Sequence, residues 1–343
     1  MFLRDLRSKS IIDTRQFKNP DVLSKVLDLA EKMEEYCRLG DEYKAFMITG
    51  KFGNEDDIEY KESLKYEYEK DFKNNYTFDS YLELKRGATL GKLKIKYKKL
   101  KKELTFDNFL EKPIMVSFFA QPSTRTRFSF ESAITRLGGN LFGSENAAEF
   151  SSFAKGESIE DAAQIMSGYG DVIVMRHKGD EKHPGNKVAV DFAYNSRVPV
   201  INAGAGTDQH PTQSLLDVYT IRKELGKLEG LNVAFIGDLK NGRTVRSLTY
   251  LLAQQNGNKL FFVSTSNYQL ELDIKGWLRE KMDKTGVRFN EIDVNDEKEV
   301  MKVLSDSDVI YMTRLQKEYE KDRPGSADRS AFVLKPESMK YIK

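Results

Sequence analysis

Short apolar runs punctuate the chain from residue 113 onward. PIMVSFF (113–119), DVIVMR (171–176), VPVINA (198–203), LNVAFIGD (231–238), KLFFVST (259–265), VRFNEID (287–293) and VIYMTR (309–314) are too short for helices and read as strands. Helix-length amphipathic stretches separate them. Phe128, Ala133, Ile134 and Leu137 recur at helical spacing. So do Ile159, Ala162, Ile165, Met166 and Tyr169, within a helix expected over Ser158 to Tyr169. A longer helix is expected from Pro211 to Leu225, stopped by Gly226. Strands alternating with helices imply parallel sheets covered on both faces. The fold expected is α/β, with two doubly wound parallel-sheet domains and the active site between them. The boundary falls in the 211–228 helix, giving domains 1–210 and 211–343. Ligands in such sheets bind at the carboxyl ends of strands.

The region before 113 reads differently. Asn19-Pro20 starts a helix that carries Val22, Leu23, Val26, Leu27, Ala30 and Met33, with Gly40 as its expected stop. An insertion follows at about 46–105. Residues 51–87 are acidic and aromatic, whereas LGKLKIKYKKLKKEL (90–104) is strongly basic. One reading is a solvated insertion with helical or hairpin pieces. Lys92, Lys94, Lys96, Lys98 and Lys99 facing phosphate or nucleic acid is another, and an oligomer contact a third. Leu93, Ile95 and Tyr97 alternate with the lysines, as in a half-buried strand.

Composition narrows the class. The chain has 343 residues, enough for two domains, and 39% hydrophobic content suits a folded protein. Basic and acidic residues are nearly balanced, 55 against 53, which gives no argument for nucleic acid or an anionic membrane. One cysteine, Cys37, excludes an internal disulfide framework. MFLRDLRSKS lacks the apolar core of a signal peptide, and no apolar run approaches the roughly 20 residues that cross a bilayer. A cytoplasmic enzyme is expected, with a plastid or mitochondrial location left open.

The chemistry concentrates at strand ends. In PSTRTR (122–127), Ser123, Thr124, Arg125, Thr126 and Arg127 stand where a strand hands over to a helix, with no carboxylate among them. Free backbone N–H groups, hydroxyls and guanidinium forks together suit a phosphate ester. Glu131 follows after the first turn, where it can hold an arginine in place. Arg176 ends a strand and either lies on the surface or contacts an oxyanion. In INAGAGTDQHPTQSLLD (201–217), small residues at 203–206 let the backbone approach a ligand. His210 precedes Pro211, and Gln213 shares that helix end. A histidine at a positive helix end stays neutral and can donate to an oxygen. His177 and His183 lie elsewhere with no cysteine nearby, so no metal site is expected. GDLKNGRTVRSL (237–248) has the outline of a dinucleotide turn but lacks GxGxxG, and Arg243 at its helix start suits an anionic substrate better. Arg314 and Gln316 offer a carboxylate fork and an amide. ENAAEFSSFAKGES (145–158) reads either as an ordinary surface loop or as a mobile loop that delivers Lys155.

Taken together, these motifs resemble the aspartate/ornithine carbamoyltransferase family, over roughly 5–45 and 106–343. The resemblance implies that Ser123, Arg125 and Thr126 hold the phosphate of carbamoyl phosphate, with Thr124 donating through its backbone. It implies that Thr126, Arg176 and His210 contact the carbamoyl oxygen and Gln213 the carbamoyl nitrogen. Ser151 and Lys155 match a loop that reaches into a neighbouring subunit's site, within a homotrimer. Arg243, Arg314 and Gln316 match the L-aspartate contacts. HPTQ and TRLQKE favour the aspartate branch over the ornithine branch. The implied domains are a carbamoyl-phosphate-binding 1–210 and an aspartate-binding 211–343. No cofactor is implied, and a regulatory partner is left unknown. Two departures stand out. The 46–105 insertion has no counterpart in a short catalytic chain, and the family's His-Pro-Leu-Pro-Arg loop and final helix do not follow Lys343, so the second domain is expected to be C-terminally incomplete. The expected activity is carbamoyl transfer to L-aspartate in pyrimidine biosynthesis. The alternatives are a catalytically impaired carbamoyl-phosphate-binding homologue acting as a structural or regulatory partner, a different acceptor amine, and a structural oligomer built through the insertion.

Overall fold

The computed structural model describes residues 10–49, 58–67, 69–70, 78–108, 110–145, 156–180 and 182–314. They group into two compact units. One comprises Ser24–Lys112 with Thr135–Gly139, and the other Met1–Leu23, Pro113–Ile134 and Asn140–Lys343.

The first of these is helical, built from most of α1 (Pro20–Thr49), α2 (Ile58–Glu67) and α3 (Phe78–Leu104). Asn19 Oδ1 accepts the Asp21 N–H at 2.9 Å, and Pro20 occupies the first helical position, as expected from the sequence. Gly40 does not stop α1, which runs through it to Thr49. Its missing Cβ instead admits the Tyr97 ring, whose Cε2 lies 3.2 Å from where a Cβ would stand. Tyr36 and Tyr97 stack at 5.1 Å beside it. The expected strand at 92–97 is also corrected, because those residues lie inside α3. Leu93, Leu100 and Leu104 are buried against Tyr36 and Leu39, with Tyr97 partly buried among them, while Ile95 is 72% exposed. Over six residues, alternation satisfies a period of two. Over the whole segment the 93, 97, 100, 104 spacing is that of one helix face, and it prevails.

The other unit carries two four-stranded parallel sheets. The first contains β1 (Ile114–Phe119), β2 (Asn140–Glu145), β3 (Val172–His177) and β4 (Val200–Ala205), in the order β2-β1-β3-β4. Its helices are α4 (Thr124–Arg136), α5 (Ile159–Met166) and α6 (Lys187–Asn195). Phe118 stacks on Phe192 at 5.8 Å inside a core with Ile173, Met175 and Ala163. α5 buries Ile159, Ala162 and Ala163, whereas Ile165, Tyr169 and, on α4, Phe128 are exposed, unlike the apolar faces expected for them. The second sheet contains β5 (Asn232–Ile236), β6 (Lys259–Ser264), β7 (Arg288–Asp293) and β8 (Val309–Met312), ordered β7-β6-β5-β8. Its helices are α8 (Arg243–Leu252), α9 (Leu272–Thr285) and α10 (Glu297–Asp306). Phe235 and Phe262 stack at 5.2 Å. Helix α7 (Pro211–Leu225) lies between the sheets in the chain and ends at Gly226 in the left-handed region (φ 72°).

Both orders reverse direction once. The first sheet grows from β1 to β2 on one side, then to β3 and β4 on the other. The second grows from β5 to β6 and β7, with β8 returning to the far side of β5. Each reversal opens a crevice at the carboxyl ends of the two strands that flank it. The expected α/β, doubly wound parallel-sheet architecture is the one observed.

Candidate active site

At the first reversal, β1 ends at Phe119 and α4 begins at Thr124, so Ser123 stands just before the helix. The Arg127 N–H donates to the Ser123 carbonyl at 3.0 Å. The N–H groups of Thr124, Arg125 and Thr126 precede that bond and sit at the positive end of the helix. The Ser123 hydroxyl donates to Thr126 Oγ1 at 3.0 Å. Arg127 Nε donates to Glu131 Oε1 at 2.7 Å, which is the restraint expected of Glu131. Arg125 is exposed and has no ion pair among the described residues. Ser123, Thr124, Arg125 and Thr126 all line one cavity of about 950 Å³, a size that suits small ligands.

Arg176 reaches the same cavity from the end of β3. It is buried and donates from Nη1 to the Ala203 carbonyl at 3.1 Å, so the surface-arginine reading is excluded. His210 and Arg243 join it around Gly204. A Cβ on Gly204 would stand 3.1 Å from Arg176 Nη1 and 3.5 Å from both Arg243 Cζ and His210 Cδ2. Its φ of +121° is one that L side chains rarely adopt. The small residues expected to admit a ligand thus include one that admits the site's own side chains. Arg243 opens α8 and donates from Nη1 to the Gly206 carbonyl at 2.8 Å.

His210 caps α7, and its backbone N–H donates to Ser247 Oγ at 2.8 Å. Its Nδ1 is buried without a hydrogen-bond partner. Burial above all, then the charges of Arg243 and Arg176, push the imidazole down to about 3. The ring is therefore neutral at ordinary pH. Its neutrality follows from desolvation and from the two guanidinium charges.

Gln213 and Arg314 line the cavity as well. Arg314 is exposed, two residues beyond β8. Gln213 Nε2 donates to Asp217 Oδ1 at 3.0 Å, and the Tyr311 hydroxyl donates to Asp217 Oδ2 at 3.0 Å. Burial raises the Asp217 carboxyl above its ordinary value, and the two hydrogen bonds offset this only in part. Burial, then the Asp217 charge, raises the Tyr311 phenol. Asp217 and Tyr311 were not singled out in the sequence, although Asp217 lies four positions after Gln213, on one helix face. Ser151, Lys155 and Gln316 lie outside the described residues, as does most of the 145–158 loop.

The other histidines serve locally. His177 Nδ1 accepts the Gly179 N–H at 2.9 Å, and His183 meets Asp180 and Glu160 at 3.1 and 3.3 Å. Among the described residues, no group of three or more His, Cys, Asp or Glu has a metal-holding arrangement. No described helix is long and apolar enough to cross a membrane.

The site thus gathers a helix start with free N–H groups, two buried or half-buried arginines, a neutral histidine and two exposed arginines, Arg125 and Arg314. Ser123–Thr126 and Arg176 come from the strands that flank the first reversal, Arg243 and Arg314 follow those that flank the second, and His210 follows β4. Residues 81–223 match a family model described as aspartate/ornithine carbamoyltransferase, carbamoyl-P binding domain, and residues 229–343 match the Asp/Orn binding domain. A chloroplastic aspartate carbamoyltransferase of Arabidopsis thaliana is 48% identical over 220 residues, covering 64% of this chain and 53% of the relative. The chain therefore spans about half the length of that plant relative. The aspartate carbamoyltransferase catalytic subunit of Aliivibrio fischeri (strain MJ11) is 41% identical over 241 residues, 70% of this chain and 73% of the relative. Aspartate transcarbamoylase from Trypanosoma cruzi, solved with carbamoyl phosphate and aspartate, superposes with a TM-score of 0.64. Its identity is 26%, over 99% of this chain and 82% of that one.

Proposed function

The chain belongs to the aspartate/ornithine carbamoyltransferase family, and from that premise we propose that it transfers the carbamoyl group of carbamoyl phosphate to the α-amine of L-aspartate. The products are N-carbamoyl-L-aspartate and phosphate, a step of pyrimidine biosynthesis. The observation that carries this reading is the single cavity lined by the Ser123–Thr126 helix start, by Arg176, His210 and Gln213, and by Arg243 and Arg314.

The α4 start receives the phosphate through its N–H groups, the hydroxyls of Ser123 and Thr126, and the Arg125 fork. Arg314 and Arg243 pair with the aspartate carboxylates. Residues 1–210 form the carbamoyl-phosphate side and residues 211–343 the aspartate side. The amine attacks the carbonyl carbon, and the carbonyl oxygen gains negative charge. Thr126, Arg176 and neutral His210 stabilise that oxygen. The C–O bond to phosphate then breaks, and the departing phosphate takes the amine proton. No protein nucleophile takes part. Alignment of the two substrates in one cleft supplies the rest of the acceleration.

Ser151 and Lys155 complete the phosphate contacts of a neighbouring subunit in a homotrimer, and Gln316 adds to the aspartate contacts. The cytoplasm is the compartment proposed. A chloroplast, the location in the plant relative's name, is the competing one, and microscopy of the tagged full-length chain separates them.

The test is formation of N-carbamoyl-aspartate from carbamoyl phosphate and L-aspartate, with L-ornithine as control. Turnover with aspartate alone is expected. Turnover with ornithine alone, or with neither amine despite a folded protein, overturns the reading.

A further inference from the structure

We propose that Asp217 is a positioning residue whose carboxylate holds the Gln213 amide in one orientation, with the NH₂ end toward Asp217 and the carbonyl end toward the cavity. It rests on the reading of Gln213 as the contact for the carbamoyl nitrogen.

A glutamine amide has a donor end and an acceptor end of nearly equal shape. Its shape does not decide which end meets a ligand, so its partner must. Gln213 and Asp217 are four residues apart on α7, on one helix face. Gln213 Nε2 lies 3.0 Å from Asp217 Oδ1. An ionised carboxylate only accepts hydrogen bonds, so the amide can meet it only through NH₂. Oε1 is then the end left for the cavity that Gln213 lines.

An acceptor in that place suits the NH₂ of a carbamoyl or carboxamide group. The flipped amide would set two N–H donors against each other in a partly desolvated cleft, leaving both unmade. The same selection gives no advantage to a ligand that lacks an N–H donor at that corner, such as acetyl phosphate, which places a methyl group there, or inorganic phosphate.

Asp217 is held in turn. Its second oxygen, Oδ2, accepts from the Tyr311 hydroxyl at 3.0 Å, across from β8. One carboxylate is thus fixed by two elements, and one of these leads within three residues to Arg314. Asp217 is half-buried, and burial disfavours its charge. With both oxygens of a half-buried carboxyl engaged by polar partners beside the cavity, the geometry points to orientation as its use.

The experiment compares wild type, Asp217→Asn and Tyr311→Phe as full-length chains. Calorimetric titration measures binding of phosphonoacetamide, which carries a carboxamide, and of inorganic phosphate. Thermal unfolding of each variant is recorded alongside. Wild type is expected to prefer phosphonoacetamide. Asn at 217 can donate as well as accept, so it permits both amide orientations. Asp217→Asn is expected to lose about tenfold of that preference, the scale of one hydrogen bond, with little change in phosphate binding. Tyr311→Phe is expected to shift the same way by less, and carries the test if Asp217→Asn does not fold.

A folded Asp217→Asn that keeps the wild-type preference overturns the proposal. So does equal loss of both ligands, which marks a merely structural role. In Tyr311→Phe an unchanged preference counts against it likewise. Wild type without any preference overturns the functional reading as well, and that outcome is distinct from failure of the lock alone.

Discussion

Arg127 donates from Nε to Glu131 at 2.7 Å, one turn further along α4, whereas Arg125 has no carboxylate partner among the described residues. Two arginines in one motif therefore have separate tasks. Arg125→Ala should lower kcat/KM by roughly 10²–10³, the effect of losing one well-placed donor to a developing charge. Arg127→Ala should act mainly by removing the N–H that Glu131 accepts near the phosphate-binding turn, so its carbamoyl phosphate KM should rise while kcat falls less. Steady-state kinetics of both variants check this, and equal effects would contradict the division.

Gly204 is a steric keystone for the cationic cluster. Gly204→Ala would force an L side chain into φ +121° and set its Cβ 3.1 Å from Arg176 Nη1. The backbone strain costs about 1–3 kcal/mol. The expected outcome is a lower unfolding midpoint in urea together with a loss of kcat, because the guanidinium must move. A variant with full stability and full activity would show that the site tolerates the displacement.

His210 makes a signed prediction for pH. Its folded value of about 3 lies below the ordinary 6.5, so between those values the unfolded chain takes up a proton that the folded chain refuses. Stability therefore falls as pH drops from 6.5 toward 3, by on the order of a few kcal/mol in all. His210→Gln should flatten that part of the profile. Urea unfolding at pH 7 and pH 4.5 gives the slope for each protein. His177, which burial also lowers, contributes in the same direction in both, so the difference isolates His210.

Local rules carried much of this architecture and long-range ones did not. Pro211 and Gly226 bound α7 at the residues their chemistry indicates, because each acts on its own backbone. The PSTRTR motif was legible for the same reason, since a strand end, a helix start and the side chains between them occupy a few consecutive positions. Lys92 to Tyr97 misled, because six residues are too few to separate a period of two from one helix face. Gly40 misled too, because its role is to receive Tyr97 from a different helix, which no local pattern announces. The bond from Tyr311 to Asp217 joins residues 94 positions apart, and only the return of β8 beside β5 brings them together.

Arg314 offers the sharpest separation of the two substrates. It follows β8, in the second sheet, whereas the Ser123–Thr126 turn follows β1 in the first. Arg314→Ala should therefore raise the KM for aspartate by about 10–100-fold, the scale of a charged hydrogen-bonded pair. Carbamoyl phosphate affinity, measured by titration without aspartate, should change little. Replacement by lysine should restore part of the loss, because charge returns without the bidentate fork. Equal weakening of both substrates would mean that Arg314 supports the cleft as a whole, and its assignment to aspartate would fall.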